Sequence, residues 1–343
     1  MNVLRVEPAP NLFDWLYCSF DKELVESWND GTLQYTGSGK ASISIILEYL
    51  RYTKELSDKM SEVIVPAWIG NPVYHQVNWF GFPSLTYSKK SKAIMVYHQY
   101  GFPQDMDFLQ AFSKERNLIL IEDCAHTPQS LYSGKLCGSF GRFSIYSFSK
   151  FSFSFALGGL MSSDQDFCNY AMQKSTSSSA LSRAAINSFK YIDEINLARK
   201  KPLIEEKIAT ARKGIFGLYG DSYRPSYRSI ALWKSKRDNE FLKRRELYSS
   251  FRDSLDRYGI CNHLERNDVT PYVIPIDAPE KNLISIIQSL DKINIRTSIN
   301  HFDFNRNLLK PNFKKTVLIP CHSQISDSKF SNMIDIIKSN LPR

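Results

Sequence analysis

A chain of 343 residues with 43% hydrophobic content can bury a large core, and about 150 residues per domain suggests two domains. Lys and Arg outnumber Asp and Glu by 44 to 35, giving +9, and much of the excess lies between Lys190 and Arg245. Because acids interleave with these bases, as in Ile204-Glu205-Glu206-Lys207, and no finger, zipper or RNA-recognition signature accompanies them, the charge suits a phosphorylated small molecule or a solvated helical face and argues against nucleic acid.

Between Met1 and Asp14 no basic segment precedes an apolar stretch, and no later apolar run approaches the roughly 18 residues needed to cross a membrane. The six cysteines (Cys18, Cys124, Cys137, Cys168, Cys261, Cys321) show neither paired metal-ligand spacing nor the density of a secreted scaffold. The expectation is a soluble, cytoplasmic protein with reduced thiols, no membrane or nucleic-acid partner and no metal site.

In chain order, the apolar pattern from Lys40 to Leu50 predicts a mostly buried helix opening directly after Gly37-Ser38-Gly39, a glycine-bounded turn suited to seating phosphate. Apolar runs at 62–66, 93–97 and 118–122 predict strands, with a helix over 105–116 between the last two. Strand–helix alternation of this kind predicts a mostly parallel sheet covered by helices, whose ligands sit beyond the carboxyl ends of the strands. Residues 142–148 predict another strand, 158–163 a returning one, 164 to about 214 a long helix and 214–228 an irregular connector. Beyond it come a helix at 231–258, a strand at 269–276 and helices at 283–293 and 327–339, which predict a smaller α+β domain. The boundaries are 1–220 for the large domain and 221–343 for the small one, with N-terminal residues free to pack on the latter.

Two places carry chemistry. Ile121-Glu122-Asp123-Cys124-Ala125-His126 is a strand that ends in acids where such a sheet opens onto its ligand. Asp123 is there a candidate partner for the ring nitrogen of pyridoxal phosphate, and a helix cap or magnesium ligand is the alternative. His126, three residues on, could hydrogen-bond or stack on such a ring. Ser147-Phe148-Ser149-Lys150 closes the next strand-like segment amid aromatics, where a partly desolvated lysine could become a nucleophile; a surface loop lysine is the alternative. Gly158-Gly159 permits close backbone approach beyond it.

Order and spacing of Tyr97-His98-Gln99-Tyr100-Gly101-Phe102-Pro103-Gln104-Asp105-Met106-Asp107, Ile121–His126, Gly138-Ser139-Phe140-Gly141, Ser147–Lys150 and Gly158-Gly159 resemble the DegT/DnrJ/EryC1/StrS family of sugar aminotransferases. Weaker similarity reaches Ser38-Gly39-Lys40-Ala41, 63–68, 225–228 and 318–322. The resemblance implies a fold-type I enzyme, usually a homodimer, dependent on pyridoxal 5'-phosphate. Such an enzyme moves an amino group from an amino-acid donor such as glutamate onto the keto group of a sugar, commonly nucleotide-linked, in polysaccharide or O-antigen biosynthesis. It implies Lys150 as the Schiff-base lysine and proton carrier, Asp123 on the ring nitrogen, and His126 near the ring hydroxyl. Ser147 and the amides of Ser38, Gly39 and Lys40 would then sit on the phosphate. Trp68 is a candidate ring-stacking residue or a core tryptophan, and Ser226 to Arg228 match a segment that reaches the partner subunit's phosphate. Three departures stand out: only Ser149 separates the Ser-Phe pair from Lys150, Leu157 replaces the usual acid before the glycines, and Ser226 stands where Asn is typical. Lys150 in place of a histidine disfavours the dehydratase branch.

His98 and His322 are expected to be structural, and Cys124 a packing residue. Phe151, Phe153 and Phe155 line the pocket, form an interface or pack the core. Two rival readings are an aminotransferase for a non-nucleotide substrate and a non-catalytic binding or regulatory member of the same fold.

Overall fold

The computed structural model describes residues 3–341 apart from 12–19, 29–30, 177–178, 200–209, 212–214, 216 and 266. Cys18, the acid-base run at 204–207 and the Gly214 end of the expected long helix lie outside the described residues. Uninterrupted apolar runs are what a sheet buried on both faces requires, and Ala93 to Val96 are fully buried at its centre. In chain order the first strands are β1 (Val25–Trp28), β2 (Gly31–Thr36), β3 (Glu62–Ile64), β4 (Phe82–Ser84), β5 (Ser91–Tyr97) and β6 (Ile119–Asp123). A separate hairpin of β7 (Leu131–Tyr132) and β8 (Lys135–Leu136) precedes β9 (Phe143–Tyr146) and β10 (Gly158–Ser162).

The eight-stranded sheet has the order β1-β2-β10-β9-β6-β5-β3-β4. Strands β4, β3, β5, β6 and β9 are mutually parallel, whereas β10 runs antiparallel between β9 and β2. Helices α1 (Gly39–Tyr52) and α2 (Asn71–Phe80) pack on one face, where Ala93 and Met95 meet Ile43, Ile46 and Val77. Helix α3 (Met106–Glu115) covers the other, where Ile94 and Val96 meet Met106 and Leu109. The alternation along β5 thus feeds two cores. Caps match the sequence: the Ser38 side chain accepts the Ala41 amide, and Asp105 accepts that of Phe108.

Within the expected single helix from 164 the structure describes α4 (Gln165–Thr176) and α5 (Ala180–Arg199). The expected connector contains a helical turn at 217–220 before α6 (Tyr227–Leu255) opens after Ser226. The remaining elements are β11 (Val273–Ile276), α7 (Glu280–Lys292), β12 (Ile299–Asp303), β13 (Phe313–Pro320) and α8 (Asp327–Ser339), with a three-stranded antiparallel sheet ordered β11-β13-β12. The strand expected from Val269 begins only at Val273, because preceding amides turn to the large sheet: Thr270 donates to the Ser130 hydroxyl and Tyr272 to the Tyr100 carbonyl.

One apolar cluster runs from Tyr35, Tyr146 and Phe148 through Trp233 to Ile274, Val317 and Phe330, so the two sheets share a core. Residues at the N-terminus pack on the C-terminal part: the Leu4 amide donates to Asn294, the Arg296 amide donates back to Leu4, and His322 Nε2 donates to the Arg5 carbonyl. Among the described residues, no helix is long and apolar enough to cross a membrane.

Candidate active site

Strands β2, β6 and β9 all point the same way, so α1's N-terminus, Asp123 and the turn Phe148–Lys150 arrive at one edge of the sheet. There they line a cavity of about 560 Å³, within the usual range for a cofactor site.

One end of the cavity presents groups suited to an anion. The first amides of α1 have no intrahelical acceptor and carry the positive end of the helix dipole. Ser147 lies beside Gly39, where an added Cβ would sit 3.4 Å from Ser147 Cβ, and its hydroxyl has no protein partner among the described residues. Gly158 explains why the glycine pair is needed: a Cβ there would fall 2.2 Å from the Ser38 carbonyl carbon and 2.4 Å from the Gly39 nitrogen. Strand β10 can therefore support the seat only without a side chain at that position. The Lys40 amine also lines the cavity, lies 5.1 Å from the Tyr219 ring centroid, and is pushed down by burial to about 8.

The opposite end holds the titratable groups. Asp123 is buried with one oxygen accepting the Ala125 amide at 3.0 Å. Burial raises its carboxyl, opposed by the neighbouring Lys150 charge, the Ala125 bond and His98. Lys150 Nζ lies 2.8 Å from His126 Nε2, and the Tyr97 hydroxyl 2.6 Å from His126 Nδ1. Burial lowers the Lys150 ammonium, opposed by Glu7 and Asp123 and reinforced by Lys190. Burial, then the charges of Lys150 and Arg244, hold His126 well below its usual value, so its ring is neutral at pH 7. The ring stacks on Tyr272 at 4.0 Å and 11° and on Tyr100 at 5.8 Å and 20°. Tyr100 adopts φ 58°, a left-handed conformation costly for a side-chain-bearing residue, held by the Tyr272 amide on its carbonyl.

Eight of the ten candidate residues line this cavity: Ser38, Gly39, Lys40, Trp68, Asp123, His126, Ser147 and Lys150. Trp68 is 43% exposed and leans on His301 with ring centroids 4.5 Å apart, so it is a wall residue rather than a core tryptophan. Ser226 and Arg228 lie outside the cavity of their own chain; Ser226 occupies the N-cap position of α6 without a side-chain capping bond, and the Arg228 guanidinium sits 5.2 Å from the Phe20 ring centroid. Glu7, Lys190 and Asp193 also line the cavity, with Tyr272 behind His126, and local sequence pattern signals none of them.

His98, Glu122 and Cys124 cluster behind the site. The histidine accepts the Gln104 amide at Nδ1, so Nε2 carries the proton and donates to Glu122 at 3.1 Å. Glu122 also accepts the amides of Gly138, Phe140 and Gly141, which makes the cluster a clamp on that loop, its acceptors taken by donors. Phe151 joins the shared core, and Phe153 and Phe155 pack with Leu232.

Residues 86–216 match the family model described as the DegT/DnrJ/EryC1/StrS aminotransferase family. This segment is similar to that family. Of the curated relatives, GDP-perosamine synthase of Escherichia coli O157:H7 is 49% identical over 61 residues, covering 18% of this chain and 17% of its own. The dTDP-3-amino-3,6-dideoxy-alpha-D-galactopyranose transaminase of Aneurinibacillus thermoaerophilus is 43% identical over 61 residues, with the same coverage of 18% and 17%. The chain thus aligns with about a sixth of each relative's length. The Helicobacter pylori aminotransferase PseC, involved in the biosynthesis of pseudoaminic acid, superposes with a TM-score of 0.70 at 16% identity over 99% of both chains. That likeness shows the fold, a fold-type I architecture with the mostly parallel central sheet and smaller C-terminal domain described above.

The residues fit pyridoxal phosphate, the cofactor that the resemblance implies. Asp123 keeps its second oxygen without a protein donor among the described residues, and a protonated ring nitrogen would supply both donor and counter-charge. The Ser147 hydroxyl, α1 amides and Lys40 match a phosphate dianion in chemistry and placement. Leu157, in place of the family's usual acid, is a fully buried member of the shared core that also reaches the cavity wall.

Proposed function

We propose that this chain is a pyridoxal-phosphate-dependent aminotransferase that converts a keto group of a sugar, nucleotide-linked in the leading reading, into an amino group with an amino-acid donor such as glutamate. The observation that carries the reading is the convergence, in one cavity, of the Lys150 amine, the Asp123 carboxylate and the open N-terminus of α1. Bound there, the cofactor supplies an electron sink through which an amino group can pass between two carbon skeletons. Asp123 holds the ring nitrogen protonated, while Ser147, Lys40 and the α1 amides take the phosphate. Lys150 would hold the cofactor through its amine and, when free, would move a proton at the substrate carbon; its pKa, lowered by burial, favours the neutral amine both roles need. His126 orients that amine from one side. Ser226 and Arg228 act on the phosphate site of a partner subunit, which makes the working unit a homodimer, and the setting is cytoplasmic synthesis of activated sugars for polysaccharide or O-antigen. The names of the matched relatives support the nucleotide-linked substrate.

The test is borohydride reduction of the cofactor-loaded protein with mass mapping, beside Lys150→Ala. The reading predicts a reduced cofactor attached to Lys150 and none in the variant, together with conversion of loaded protein to the amino form of the cofactor by glutamate. Attachment to another lysine, or none, overturns it.

A further inference from the structure

The N-terminal segment brings a carboxylate to the Lys150 site. Residues 4–9 are held to the C-terminal part by the Leu4 pairing with Asn294 and Arg296, by His322 on the Arg5 carbonyl, and by Gln324, whose side chain accepts the Ala9 amide and donates to the Ala9 carbonyl. Between these anchors Glu7 faces the cavity. Its Oε1 accepts the Tyr272 hydroxyl at 2.7 Å, and its Oε2 lies 3.9 Å from the Lys190 ammonium of α5. The Tyr272 ring lies flat against His126, which is 2.8 Å from the Lys150 amine. A line of contacts thus runs from Glu7 to the lysine through two stacked rings.

We propose that Glu7 is a positioning residue for Lys150: it pins Tyr272 against His126 and provides, with Asp123, the negative charge that faces the lysine across the cavity. This rests on the aminotransferase reading. The groups facing Lys150 from each element are Asp123 and His126 after β6, Tyr97 and Tyr100 after β5, Lys40 of α1, Lys190 and Asp193 of α5, Tyr219, Glu7 and Tyr272, with the Arg244 guanidinium 5.9 Å behind the Tyr272 ring. Of the carboxylates, Glu7 and Asp123 are those that raise the lysine's proton affinity, and Lys190 opposes them. With Asp123 on the ring nitrogen under that reading, Glu7 is the other carboxylate acting on the lysine amine once a donor has freed it.

The experiment measures the pH midpoint for acetylation of Lys150 by acetic anhydride in the cofactor-free full chain, read by mass spectrometry, for wild type, Glu7→Gln and Lys190→Met. Loss of the Glu7 charge shifts the midpoint to lower pH, and loss of the Lys190 charge shifts it to higher pH. Opposite shifts separate a charge effect from loosening, and Lys190→Met decides the matter should Glu7→Gln fail to fold. Midpoints that do not move, or move in the same direction, overturn the proposal. In loaded protein, Glu7→Gln keeps an acceptor for Tyr272 and Glu7→Ala does not, so the glutamate-driven step is expected to be at least several-fold slower in Glu7→Ala. Equal rates overturn the positioning role. Because acetylation needs no cofactor, the Glu7 result stands apart from the borohydride result on which the functional reading depends.

Discussion

The amine of Lys150 and the imidazole of His126 share one hydrogen bond, 2.8 Å long, whose direction depends on the lysine's charge. A protonated amine donates to Nε2, which places the single ring proton on Nδ1, facing Tyr97. A neutral amine accepts from Nε2, and the Tyr97 hydroxyl then donates to Nδ1. Tyr97 is held well above its ordinary value by burial and so keeps its proton in either arrangement.

Replacing His126 by Phe keeps a ring between Tyr100 and Tyr272 and removes both nitrogens. A buried hydrogen-bonding group left unpaired costs about 1–3 kcal/mol, so the glutamate-driven conversion is expected to slow by about tenfold or more. Single-turnover absorbance traces check this; an unchanged rate would remove His126 from any part in aiming the lysine.

Gly158→Ala forces the Ser38–Gly39 backbone off its position, since the new Cβ would lie 2.2 Å from a carbonyl carbon. Overpacking of this kind costs about 1–3 kcal/mol, visible in urea unfolding, and displacement of the phosphate seat should weaken cofactor binding by about tenfold or more. Gly217→Ala is the control: nothing lies within 4 Å of its Cβ. Equal cofactor affinity in the two variants would show that the seat does not depend on the glycine.

Lys40, lowered by burial to about 8, sets a pH dependence for phosphate binding. A phosphate dianion favours the charged amine and raises its pKa in the complex. Below pH 8 the ammonium is present before and after binding, and affinity is full. Above it, binding must take up a proton, and affinity falls as pH rises toward the pKa of the complex. Titration of cofactor-free protein with pyridoxal phosphate from pH 7 to about 10 should show this decline, and Lys40→Met should flatten it. A decline of the same size in the variant would assign it to another group.

Where the site's geometry is local, the sequence made it legible. Asp123 ends an apolar strand and Lys150 closes the short turn that follows β9, so each could be placed from its own neighbours, as could Ser38 at the helix opening. Glu7, Lys190 and Tyr272 had no such signature, because their positions depend on contacts such as Tyr272 to Glu7, 265 residues apart in sequence. Strand β2 was also missed: it sits between β10 and β1, with Leu33 to Thr36 buried, but Gln34 and Thr36 interrupt its hydrophobic pattern. Gln34 is tolerated there because its amide donates to the Ala171 carbonyl. Helix α2 hid behind Gly70-Asn71-Pro72, which resembles a turn in sequence although proline suits a helix's first turn.

Arg244 is fully buried on α6, paired with Glu240 at 2.6 Å, and donates to the carbonyls of Pro271, Tyr272 and Phe151. It therefore rivets the backbone next to Lys150 to that of Tyr272, and removing it would strand a buried carboxylate. Variation that retunes substrate choice has little room on that wall. It can accumulate instead at Trp68, where a changed side chain meets solvent rather than a locked network.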